Sequence, residues 1–181
     1  MKKFLLILSL IPLFFGCEKA ETLGDSVNSG IYVNDRLVCE LKSAFVGGAV
    51  SDPTQGASSR MHIYEDQFSV GPNWRDVKEK VFVSGFYFAD KKYSGPGEGV
   101  NEIAIRDLSS FGDVIIPMNQ GKYEGGNDKV TSVKIVRYAL GNYDSKTDSY
   151  SDTEMIIKIS LKDGQKISIV YAGPTPNDGY F

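Results

Sequence analysis

Histidine and cysteine are scarce in this chain: one His and two Cys among 181 residues. That shortage excludes Cys/His zinc sites and haem attachment motifs, which need several such ligands at set spacings. A hydrolytic triad would have His62 as its single imidazole, and no Gly-x-Ser-x-Gly elbow exists to present a partner serine. Positive charge is not in excess either. With 20 Lys and Arg against 23 Asp and Glu, the formal net charge is −3 and the pI is near 5.2, so the electrostatic footprint of a nucleic-acid binder is missing. No apolar run reaches the roughly 20 residues of a membrane-spanning helix. What remains is a globular composition, 41% hydrophobic and 12% aromatic, which argues against wholesale disorder and suits one domain.

The sharpest local signal is N-terminal. In MKKFLLILSLIPLFFGC, Lys2 and Lys3 precede an apolar run from Phe4 to Phe15, and Gly16 stands directly before Cys17. A short apolar run behind a positive start and before a small residue has the form of a secretory signal peptide. The Gly16–Cys17 pairing resembles the lipobox of bacterial lipoproteins, with Phe14 and Phe15 where that family usually has leucine and a small residue, as in the relaxed boxes of the Bacteroidota. The resemblance implies cleavage after Gly16 and a diacylglyceryl group, with palmitate-type acyl chains, on the Cys17 thiol. Multiple acyl chains hold a protein durably at a membrane, at about 0.8 kcal/mol per buried CH₂. Removing Lys2 and Lys3 with the leader leaves the mature chain more acidic, so the lipid rather than basic charge would hold it there. The next stretch, Cys17 to Gly30, is polar and without hydrophobic periodicity, a flexible tether. Its Glu18, Lys19 and Glu21 resemble the charged stretch that directs many Bacteroidota lipoproteins to the cell exterior. The expected organisation is a signal peptide over 1–16, a tether over 17–30 and a β-rich domain over 31–181.

From Ile31 onward the pattern is one of short strands. Leu37, Cys39 and Leu41 alternate with polar or outward positions, Met61 to Tyr64 is a short candidate, and Val81 to Ala89 is β-branched and aromatic throughout. That last run reads as a central strand buried on both faces, with Gly85 marking a bulge or a close contact. Glu102 to Arg106, Val114 to Ile116 and Val130 to Leu140 follow. Met155 to Leu161 and Lys166 to Tyr171 flank Asp163-Gly164, a strong hairpin signal, which puts Ile157, Ile159 and Leu161 on the same inner face as Ile167, Ile169 and Tyr171. Asn73 to Lys80 predicts one or two helical turns, with Asn73 as cap and Trp74, Val77 and Val81 at helical spacing. About eight strands in this length point to an all-β fold, an antiparallel β-sandwich. A lipocalin-like β-barrel is the alternative, ranked second because residues 30–45 carry no Gly-x-Trp motif.

Chemistry is thinly signalled. Alternation places His62 opposite Met61 and Ile63, on the solvent side of its strand, and places Cys39 inward as a small buried hydrophobe. Ser94-Gly95-Pro96-Gly97-Glu98-Gly99 lacks the lysine and the helix of a phosphate loop, and Pro96 removes an N–H donor. Asn142 to Glu154 gathers Asp144, Asp148, Asp152 and Glu154, but not at the alternate spacing of a calcium loop, so it reads as an acidic hairpin tip without a metal. Trp74, Tyr93, Tyr143 and Tyr150 fall in loops beside polar residues, where a ring can stack on the C–H face of a sugar; they are the candidate ligand-binding residues. The whole chain resembles the small β-rich surface lipoproteins of the Bacteroidota. The resemblance implies an outer-membrane lipoprotein of the cell envelope, attached through lipid at Cys17, that needs no cofactor and binds a glycan or an envelope protein. A metal-dependent or hydrolytic enzyme of the cell surface is the alternative.

Overall fold

A computed structural model describes residues 28–47, 57–73, 75–87, 97, 99–139 and 142–177. In chain order the first strands are β1 (Gly30–Val33), β2 (Arg36–Glu40), β3 (Ser43–Gly47), β4 (Ala57–Tyr64), β5 (Val81–Tyr87) and β6 (Val100–Leu108). A 3₁₀ turn at Ser109–Phe111 leads to β7 (Gly112–Pro117), and then follow β8 (Val130–Ala139), β9 (Tyr143–Asp144), β10 (Ser149–Leu161) and β11 (Lys166–Pro176). One sheet runs β2-β1-β11-β10-β8, with β9 also paired to β10; the other runs β3-β4-β5-β6-β7. All pairings between these strands are antiparallel, and the two sheets pack face to face as a β-sandwich. The sheets stay open among the described residues, so the barrel alternative is not realised.

The core follows from side-chain alternation. Ile31, Ile169, Ile157 and Ile135 are successive cross-strand partners in one row through four strands of the first sheet. In the second sheet Ile63, Val81, Ile105 and Val114 form one inward row, and Met61, Val83, Ile103 and Ile116 the next. All twelve are buried. β-Branched side chains fit the pleated surface, and each fully buried one contributes about 1.5–3 kcal/mol. The expected inner face of β10 and β11 is present, with Met155 and Tyr171 buried alongside its isoleucines. Asp163-Gly164 closes this hairpin, with Gly164 at φ +88°, a left-handed conformation that glycine adopts without steric cost.

Several local expectations are corrected. Residues 75–80 form turns rather than a helix: the amides of Asp76 and Val77 both donate to the Asn73 carbonyl, and the chain then enters β5 directly. Val77 lies in the turn and Val81 opens the strand that follows, whereas Trp74 lies outside the described residues. β5 is buried on one face only, since Phe82 and Ser84 are half-buried on the outer side. Leu37 is 41% exposed rather than inward, because a bulge between β1 and β2 shifts the register so that Ile31 faces Cys39 and Tyr32 faces Leu37. Cys39 still packs partly against the core. Burial of its thiol and a hydrogen bond to Glu65 push its pKa up to about 11, which suppresses thiolate reactivity.

Candidate functional site

Two polar constellations stand out, one on each sheet. The first lies at the β9–β10 hairpin, within the acidic stretch. Tyr143 and Tyr150 are direct cross-strand partners, so both rings point to one side of the ribbon, with centroids 5.2 Å apart and planes tilted by 48°. Tyr143 is 51% exposed, whereas Tyr150 packs partly against the core. The Tyr143 hydroxyl donates to Asp148 Oδ1 at 2.7 Å, and Asn177 Nδ2 donates to the same oxygen at 2.6 Å. The Asn177 amide also donates to the Asp148 carbonyl at 2.8 Å, tying the hairpin tip to the end of β11. The hydrogen bond to Asp148 raises the Tyr143 pKa, and the bonds from Tyr143 and then Asn177 lower that of Asp148.

Two of the other acidic residues of this stretch, Asp144 and Glu154, have separate partners. Asp144 accepts from the Lys146 amide at 2.8 Å, and Glu154 pairs with Arg137 Nε at 2.7 Å across β10 and β8. The acidic stretch therefore contains a hairpin and the first half of β10, which begins at Ser149 rather than at Met155. Among the described residues no group of three or more His, Cys, Asp or Glu side chains could hold a metal ion. Of the other residues singled out in the sequence, Cys17, Trp74 and Tyr93 lie outside the described residues. The structure thus brings together two of the four candidate rings, Tyr143 and Tyr150.

The second constellation sits on the outer face of the second sheet. His62 is on that face as alternation requires, yet its side chain is only 12% exposed, not solvated as a surface strand histidine would be. The turns before β5 fold back over the sheet, fixed by the Lys80 amide donating to the Ile63 carbonyl at 2.8 Å, and they carry Glu79 to His62. Glu79 Oε2 lies 3.6 Å from His62 Nδ1, Glu79 Oε1 lies 3.6 Å from Arg106 Nη2, and Arg106 Nη1 lies 3.4 Å from Asp113. Burial opposes the charge on Glu79, but contacts from His62, its own backbone amide and Arg106 outweigh it and hold the carboxyl below its ordinary pKa. The Asp107 amide and then Arg106 do the same for Asp113. The His62 ring also packs on Phe82, with centroids 5.1 Å apart. Sequence reasoning missed Glu79, Arg106 and Asp113. Their signal was weak: Arg106 and Asp113 are charged residues at outward positions of β6 and β7, and Glu79, in the turn before β5, joins them to His62 through space.

Compared with family models, with curated proteins and with solved structures, the chain matches none. Its class therefore rests on the fold: an all-β protein built as an antiparallel sandwich.

Proposed function

We propose that this protein is a lipid-anchored component of the cell envelope, an outer-membrane lipoprotein acylated at Cys17, whose β-sandwich serves as a non-catalytic binding module for a glycan or a protein partner. The leader and the Gly16–Cys17 pair support the anchor. One observation supports the binding role above the others: the Tyr143–Tyr150 pair on a hairpin braced through Asp148 and Asn177. A ring that is already oriented loses little conformational freedom when a ligand stacks on it, and Tyr143 offers both an apolar face and polar neighbours. Sugars combine an apolar C–H face with hydroxyls, so a glycan is the partner this pair suits best.

The test is a glycan array probed with the wild type and with the Tyr143→Ala/Tyr150→Ala variant. The wild type should retain a subset of glycans, and the variant should bind them at least about tenfold more weakly, equivalent to about 1.4 kcal/mol. Equal binding by the two proteins would remove the tyrosine pair from the site.

A further inference from the structure

The outer face of the second sheet holds a concavity of about 320 Å³, lined by Arg60, Phe82, Ser84, Gly85, Asn101 and Glu102. That volume lies at the small end of the range for ligand pockets, about 300–1,000 Å³. Three independent features converge on it. Arg60, Ser84 and Glu102 are consecutive cross-strand partners on β4, β5 and β6, so alternation presents a donor, a hydroxyl and a carboxylate in one row on one face.

The second feature is a bulge. Ser84 pairs with Glu102 while Gly85 pairs with Val100, leaving Asn101 as the extra residue of β6. Regular alternation would turn Asn101 away from the face that carries Glu102; the bulge breaks that alternation, and Asn101 joins the lining. Gly85 makes this possible. A Cβ there would lie 3.2 Å from the Gly99 carbonyl oxygen and 3.3 Å from Val100 Cα, backbone atoms that have little room to yield. The third feature is the ring. Phe82 occupies the next outward position of β5, and its contact with His62 fixes it in the neighbouring row.

We infer that this concavity is a subsite for a single neutral hexose unit, in which Phe82 meets the C–H face of the ring while Arg60, Ser84, Asn101 and Glu102 serve its hydroxyls. Sugar hydroxyls each donate and accept, and this lining supplies both functions: Arg60 donates, Glu102 accepts, and Ser84 and Asn101 do both. One cation and one anion cancel, so the lining does not select a charged ligand. This inference rests on the binding-module reading, and it adds a second contact point distinct from the tyrosine pair.

Saturation-transfer difference NMR on the full-length chain in detergent, with methyl α-glucoside, methyl α-galactoside and methyl α-mannoside as probes, tests it. At least one glycoside should receive saturation, strongest on the C–H protons of one ring face. Asn101→Ala and Glu102→Gln should each reduce that signal several-fold while the melting temperature stays near that of the wild type. In the Tyr143→Ala/Tyr150→Ala background, which removes the hairpin's own contribution, the signal that remains should still fall several-fold on Asn101→Ala or Glu102→Gln. Silence from all three glycosides, or signals indifferent to both Asn101→Ala and Glu102→Gln, would overturn the subsite. Signals lost only in the tyrosine variant would also overturn it while sustaining glycan binding at the hairpin.

Discussion

Glu79 is held between two partners, His62 on one side and Arg106 on the other, on a turn that has no regular secondary structure of its own. Its carboxyl is as little exposed as the His62 ring, which makes the charge costly unless it is matched. The pKa of Glu79 is lowered in the folded chain, so its contribution to stability is present above the ordinary carboxylate value and is lost as pH falls through the folded value. Glu79→Gln should therefore lower the melting temperature at about pH 7 and leave a smaller difference from the wild type at an acid pH below the lowered folded value, where the native carboxyl is protonated too. Melting followed by circular dichroism at the two pH values checks this. An equal loss at both would mean that Glu79 acts through packing rather than charge.

At the scale of elements, what was legible in the sequence is what depends on neighbours in the chain. Alternation found the inner faces of β10 and β11, and the Asp163-Gly164 pair marked their turn, because both are local consequences of backbone geometry. Gly85 announced a bulge or a close approach, and the register shift beside it shows both. Gly85→Val should accordingly destabilise the fold by about 1–3 kcal/mol, read from denaturant unfolding, since backbone atoms of β6 and its preceding turn occupy the space. An unchanged unfolding midpoint would show that β6 can give way. The features that were not legible depend on turn conformation and strand register or on distant residues. Asn34 and Asp35 both adopt positive φ and close the β1–β2 hairpin, and the bulge that follows moves Leu37 out of phase. Burial of His62 depends on a turn brought back by the Lys80–Ile63 hydrogen bond, which no local pattern encodes. Tyr143 and Tyr150 could be chosen as loop aromatics, but their meeting required the register of β9 on β10.

For the molecule as a whole, the sheet edges speak to the kind of partner. Along β7, Asn127 Nδ2 donates to the Ile115 carbonyl at 2.7 Å and Lys129 Nζ donates to the Phe111 carbonyl at 2.8 Å, so side chains take up acceptors on this edge. β2 is a short strand with a bulge and charged residues at both ends, Arg36 and Glu40. At these two of the sheet edges, blunting of this kind discourages strand-by-strand addition of another chain. They favour binding through side-chain surfaces, such as the tyrosine pair and the concavity on the second sheet. Under the proposed role, such surfaces act at the envelope only if the chain is anchored there, which puts the decisive chemistry at Cys17. Intact mass spectrometry of the protein extracted from membranes with detergent tests it most directly. The expected product is a chain that has lost residues 1–16 and carries a diacylglyceryl group on Cys17, with Cys17→Ala yielding neither the cleavage nor the added mass. A wild-type chain that keeps its leader, or a mature chain with an unmodified Cys17 thiol, would contradict it.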